Sequence, residues 1–292
     1  MRAMRGRRLP GRLAGATDSP RDGVASTRYR SASDSVDSFQ GLSGQRYAVG
    51  PEQALLFLAA NVYPTVDDEA RVRAVLRMPL DWDRVLELSQ AHGVTGLVRR
   101  CLRRSGQWEL APEQARQAMD TWRRIVQVRH FMLARQLEQM LAALATSGVD
   151  PVILKGVALA ATVYPDPALR AMLDVDLLVS RAQVGAVADV LARLGYVREE
   201  LYYGDTFNRT QGYHCLFTDP TGQALPVEVH WDLASRLERR NALGAAVLQA
   251  RTVRARVVAI RTEAGDDARV LAPEIQVVYL ATHAATEGHA FG

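Results

Sequence analysis

Apolar residues change their spacing near residue 148, and that change divides the chain. From 51 to 147 they recur every three or four positions, the repeat of a helix face. Helices are predicted over 52–62, from a cap at Asp81 to Gly93, over 95–104, over 112–122 and over 121–146. In the last of these, Ile125, Val128, Met132, Leu137, Met140, Leu141 and Leu144 form a stripe expected to be core or packing surface, with Gly148 as the C-terminal cap. Beyond 148, short apolar runs alternate with helical stretches. Val152-Ile153-Leu154 reads as a buried strand ending at Lys155-Gly156, followed by a helix-compatible segment and the turn Tyr164-Pro165-Asp166-Pro167. A second strand carries Asp174-Val175-Asp176, and Ser180 caps a helix over 181–194 closed by Gly195. A strand starting at 196–201 comes next, then a hairpin of 212–218 and 225–231 around Asp219-Pro220-Thr221-Gly222. A short strand at 257–260 and a helix from Pro273 past His283 to near Gly288 complete the pattern.

The predicted class is α+β: a helical N-terminal region over 51–147, a small mixed-sheet α/β core over 148–235, and a C-terminal strand and helix segment over 236–292. Residues 1–50, rich in Arg and Ser and without apolar periodicity, are expected to form a disordered tail. The chain ends at Phe291-Gly292 directly after a helix, so the C-terminal helical part is expected to be truncated.

Composition then narrows the function. Hydrophobic content is 48% and charged content 23%, ordinary for a globular chain, and no apolar run is long enough to span a bilayer. Cys101 and Cys215 fit neither a metal spacing nor a disulfide framework, so a cytoplasmic location is expected. The net charge of +4 is concentrated in the first fifty residues. No basic, aromatic-studded groove is visible elsewhere, which argues against a nucleic-acid partner. Of 36 basic residues, all but Lys155 are arginine. A solitary lysine beside a glycine turn suits phosphate, for which a compact ammonium serves as a point charge.

The strand through residues 174–176 supplies the candidate chemistry. Alternate strand residues share a face, so Asp174 and Asp176 project together while Val175 and Leu177 turn to the core. Two adjacent carboxylates repel unless a cation lies between them, and oxygen ligands suit a hard ion such as Mg²⁺, or Mn²⁺, bound with a nucleotide. On the later strand, Glu228 and His230 share one face. His230 is either a group of the site or a structural histidine. Tyr213-His214 is a candidate rim, and His283 a packing residue facing the core.

Strand, glycine turn, helix, Asp-x-Asp strand and a later acidic strand together resemble the plan of the DNA polymerase β-like nucleotidyltransferase superfamily. More closely, LKGVALAATVYPDPALRAMLDVDLLV and LPVEVHWDL are similar to an uncharacterised bacterial nucleotidyltransferase family. The resemblance implies a polymerase β-like core and transfer of a nucleoside monophosphate from an NTP, such as ATP, to a hydroxyl of a small molecule or protein. It makes Asp174, Asp176 and Glu228 the catalytic metal ligands. Lys155-Gly156 stands in the place of the superfamily's Gly-Ser turn, with Val157 where a second small residue is usual. Lys155, Gly156, Arg170 and His230 are the candidates for nucleotide or phosphate contact; Arg170 could instead anchor the Tyr-Pro-Asp-Pro turn. The alternative function is a catalytically inactive relative that binds a nucleotide or a partner.

Overall fold

The computed structural model describes residues 38–40, 46–199, 213–232, 245–256 and 268–286. Two short strands come first, β1 (Ser38–Gln40) and β2 (Arg46–Ala48), paired antiparallel. They fall within the stretch 1–50. The rest of 1–50, apart from Val49 and Gly50, lies outside the described residues.

Four ten-residue helices follow: α1 (Pro51–Ala60), α2 (Val66–Val75), α3 (Trp82–Ala91) and α4 (Thr95–Arg104). Asp81 caps α3 as predicted, accepting from the backbone N–H groups of Asp83 and Arg84. α2 was not predicted. Its start is a capping box in which Thr65 and Asp68 satisfy each other's backbone N–H, and only Val72 and Val75 are buried along it. These helices close a core of Leu55, Val75, Val98 and Leu102, which also receives Met119.

Met119 belongs to α5 (Glu113–Thr146), a single helix of 34 residues where two were predicted. No glycine or proline interrupts its interior, so nothing breaks the hydrogen-bond ladder. At 1.5 Å per residue it is roughly 50 Å long and joins two cores. The stripe expected on it is corrected in its first half: Ile125, Val128 and Met132 are exposed, while Val126 and Leu133 are buried beside Leu137, Met140 and Leu144. The buried face runs through 119, 126, 133, 137, 140 and 144, one position out of phase with the predicted stripe at its start.

The second half of α5 packs on a seven-stranded mixed sheet. Its strands are β3 (Val152–Ile153), β4 (Val175–Leu178), β5 (Val197–Arg198), β6 (His214–Thr218), β7 (Val227–His230), β8 (Thr252–Ala255) and β9 (Ala268–Leu271), in the order β5-β6-β7-β4-β3-β9-β8. The predicted hairpin is β6 with β7, joined antiparallel. The strand expected at 257–260 lies outside the described residues. β8 and β9 were not foreseen; they form an antiparallel pair, and β9 runs parallel to β3, so the C-terminal segment extends the same sheet.

α6 (Lys155–Thr162) follows β3, and α7 (Val184–Arg193) follows β4 after a short 3-10 turn that Ser180 and Gln183 cap. One sheet face, with Ile153, Val175, Leu177, Val227 and Val229, packs against α5, α6 and α7. The other face carries Val152, Leu154, Leu178 and Leu271 and is covered by Leu248 of α8 (Ala245–Ala250) and Tyr279 of α9 (Pro273–Thr286). Both faces of β4 are therefore covered, and Asp176 is a polar residue set in an apolar strand. No helix among the described residues is long and apolar enough to cross a membrane.

Candidate active site

β4 and β7 are adjacent and parallel, with Asp176 opposite Glu228 and Leu178 opposite His230. Because the strands alternate in phase, Val175, Leu177, Val227 and Val229 enter the core while Asp176, Glu228 and His230 emerge together on the opposite face. The His230 Nε2 lies 3.0 Å from Asp176 Oδ1 and 3.2 Å from Glu228 Oε2. Lys155 reaches the same oxygens from the start of α6, its Nζ 2.8 Å from Asp176 Oδ1 and 3.4 Å from Glu228 Oε2. Asp176 and His230 are almost fully buried, at 1% and 3% exposure.

Charges so close and so dry control one another. A hydrogen bond from His230, and the Lys155 ammonium, hold the Glu228 carboxyl well below the usual carboxylate range despite its burial. Burial alone would lower His230, but hydrogen bonds to Asp176 and Glu228 more than offset it and raise the imidazole. Lys155 behaves alike: burial opposes its charge, and Asp176 and Glu228 raise it. The site thus sets the Lys155 ammonium and the His230 imidazole against two carboxylates.

Asp174 stands apart. It precedes β4, is half-buried, and lies outside the group of Asp176, Glu228 and His230, whose ligand atoms are all within 4.8 Å of one another. Burial first, then repulsion from Asp176 and Glu228, pushes its carboxyl up to about 6 from a usual 3.8. Between those values the folded protein holds a proton that the unfolded chain has lost, so this group's contribution to stability falls as pH rises through the window. Asp174→Asn should therefore stabilise the metal-free protein by about 1–2 kcal/mol near pH 8, allowing for solvent screening, and by less near pH 4.5. Urea unfolding at the two pH values checks this; destabilisation near pH 8 would contradict it.

The remaining candidates are placed as follows. Lys155 has φ 44°, a left-handed conformation uncommon outside glycine. Gly156 does not carry that conformation; it is buried, and a Cβ there would lie 3.2 Å from Met172 Cγ and 3.8 Å from Arg170 Nε, so its small size serves close packing. Arg170 sits 5.9 Å over the Tyr164 ring, and its carbonyl meets His130 Nε2 at 2.8 Å, which ties it to the turn before β4. Tyr213 and His214 lie beside the site, their rings 6.1 and 5.3 Å from that of His230. His283 stacks on Tyr279 at 6.1 Å. Tyr279 was not anticipated: it packs with Leu154 and Leu178 on the sheet face that carries Asp176, and burial, then Asp176 and Glu228, raise its phenol. The only sequence sign of it was the four-residue spacing of Tyr279 and His283 on one helix face.

The donor set fits a divalent cation. Two carboxylate oxygens and an imidazole nitrogen converge, and a protein ammonium already rests against both carboxylates. Paired carboxylates on parallel strands beside a glycine-backed lysine are compatible with nucleotidyl transfer. The chain belongs to an uncharacterised nucleotidyltransferase family, whose sequence profile matches residues 78–292. Membership makes nucleotidyl transfer its general role and an NTP its implied substrate. No curated protein and no solved structure matches the chain.

Proposed function

We propose that the protein is a Mg²⁺- or Mn²⁺-dependent transferase that moves a nucleoside monophosphate from an NTP to a hydroxyl of a small molecule or a protein. The observation that carries this reading is the register of β4 and β7, which sets Asp176 beside Glu228 with His230 Nε2 within reach of both. Asp176, Glu228 and His230 would hold the ion, with Asp174 contributing charge at the margin. When bound, a divalent cation neutralises phosphate charge and polarises the phosphate oxygens. The acceptor oxygen bonds to the α-phosphorus, the bond from that phosphorus to the bridging oxygen breaks, and pyrophosphate leaves while the hydroxyl proton passes to solvent. The chain's own groups position and neutralise: Lys155 offers an ammonium to the triphosphate, Arg170 beside Gly156 adds positive charge, and Tyr279 with α9 limits water at the acidic face.

A second reading, a relative that binds a nucleotide or partner without turnover, draws support from the position of Asp174 outside the ligand group. One experiment separates the two. Thermal unfolding with each NTP and Mn²⁺ should show a rise in Tm in the wild type that Glu228→Gln loses; ligand at about 100 times its Kd adds about 2.7 kcal/mol. Release of pyrophosphate from the same mixture, with candidate acceptors, marks turnover. A shift without pyrophosphate under any acceptor supports the binding reading, and no shift with any NTP sinks both.

A further inference from the structure

The lysine that the sequence singles out does not sit where a phosphate contact alone would put it. Its Nζ rests on Asp176 Oδ1 and near Glu228 Oε2, the same two oxygens that face His230 Nε2, and Asp176, Glu228 and His230 are the three residues of the metal-capable group. Two cations cannot share those oxygens at contact distance without strong repulsion. We propose that Lys155 is a tethered counter-ion that a divalent metal must displace, so that metal loading frees the ammonium for the triphosphate. This inference rests on the metal reading above and adds the order of events to it.

Three features of the residue support exchange over a permanent ion pair. The backbone at Lys155 keeps φ at 44°, although glycine, which adopts that region freely, is absent from this position and present at the next. Such conformations persist where the surroundings hold them and cluster at functional sites. The choice of ammonium is the second. In a chain whose every other basic residue is arginine, the site uses the compact charge on a flexible stem, and a guanidinium fork pairing bidentately with carboxylate would be harder to dislodge. The third is access: the Lys155 side chain is 15% exposed and that of Glu228 25%, against 1% for Asp176, so the ammonium lies on the open side of the cluster and can leave without unpacking the strands.

Exchange has a direct consequence. Without metal the lysine neutralises the carboxylates and is withheld from phosphate; with metal the carboxylates are satisfied and the ammonium is available beside Gly156. Metal and nucleotide binding are then coupled through one side chain, and the coupling is reciprocal.

The solitary lysine makes the test specific. The full chain is treated with acetic anhydride with and without Mn²⁺, and acetylation of the Lys155 peptide is timed by mass spectrometry, while Mn²⁺ occupancy is followed independently by the loss of the free-ion electron paramagnetic resonance signal. Mn²⁺ is expected to speed acetylation of Lys155 about tenfold, and Lys155→Gln is expected to bind Mn²⁺ about tenfold more tightly than the wild type, within the usual range of site-to-site coupling. Should Lys155→Gln fail to fold, the wild-type acetylation rate decides alone. Bound Mn²⁺ with an unchanged acetylation rate overturns the exchange and leaves the metal site standing. No Mn²⁺ binding by the folded wild type overturns the metal site, and the exchange with it.

Discussion

Asp176→Asn is expected to destabilise the metal-free protein by about 3–5 kcal/mol, the usual cost of removing one partner from a buried charge pair. Asp176 is 1% exposed and faces an ammonium and an imidazole, with Lys155 Nζ at 2.8 Å and His230 Nε2 at 3.0 Å. An amide keeps the volume and removes the charge, so Glu228 alone is left to balance an ammonium and an imidazole in a low-dielectric setting. The same substitution removes one of the two carboxylates of the metal-capable group, so Mn²⁺ affinity should fall at least about 100-fold, beyond what a lost supporting contact costs. Urea unfolding with and without Mn²⁺ reads both effects. Asp174→Asn, two residues earlier, should act with the opposite sign on the apo protein, because Asp174 is buried and then repelled by its neighbours where Asp176 is paired. If both substitutions stabilise, or both destabilise equally, the two carboxylates do not hold the different roles assigned to them.

That contrast shows how far the sequence could be read. The period-two pattern put Asp174 and Asp176 on one face and Val175 and Leu177 on the other, and Val175 and Leu177 do join the core beneath α5, α6 and α7. The same rule placed Glu228 and His230 together. A local periodicity cannot show which strands become neighbours, and it is the parallel pairing of β4 with β7 that sets Asp176 against Glu228 and draws His230 in ahead of Asp174. The parallel pairing of β9 with β3 was beyond reach for the same reason: its partners are far apart in the chain and carry no shared local mark. Helices with strong caps, at Asp81 and Ser180, were legible. α2 was not, because three acidic residues in its first turn and just two buried valines give a weak apolar face, although Thr65 and Asp68 wrote its start plainly. On α5 the direction of the apolar stripe was legible and its phase was not, since Ile125 and Val126 are equally apolar and only the packing partner chooses between them. Lys155 was identified by rarity and assigned to phosphate; its carboxylate partners sit on β4 and β7, two strands whose pairing the sequence alone could not show.

Gln136→Leu is expected to cost about 2–3 kcal/mol and to weaken Mn²⁺ binding about tenfold, although Gln136 touches no site residue. Its side-chain amide is buried and grips one peptide from both sides, donating from Nε2 to the Leu225 carbonyl at 2.7 Å and accepting from the Leu225 N–H at 3.0 Å. The next residue, Pro226, accepts from Val175 N–H at 2.9 Å, so the grip on Leu225 passes to the first residues of β7 and β4. Further back on the same helix, His130 Nε2 meets the Arg170 carbonyl at 2.8 Å, just ahead of the Asp-x-Asp strand. α5 therefore fixes the starts of both acid-bearing strands against one rigid rod, and the spacing of Asp176 and Glu228 depends on it. Leucine preserves volume and leaves a half-buried peptide without its two partners, which separates the hydrogen bonds from any cavity effect. Urea unfolding gives the first number and Mn²⁺ titration the second. Loss of stability with unchanged Mn²⁺ affinity would make Gln136 a structural clamp alone; loss of both would show that the long helix, read from sequence as packing surface, also holds the carboxylates at metal-binding distance.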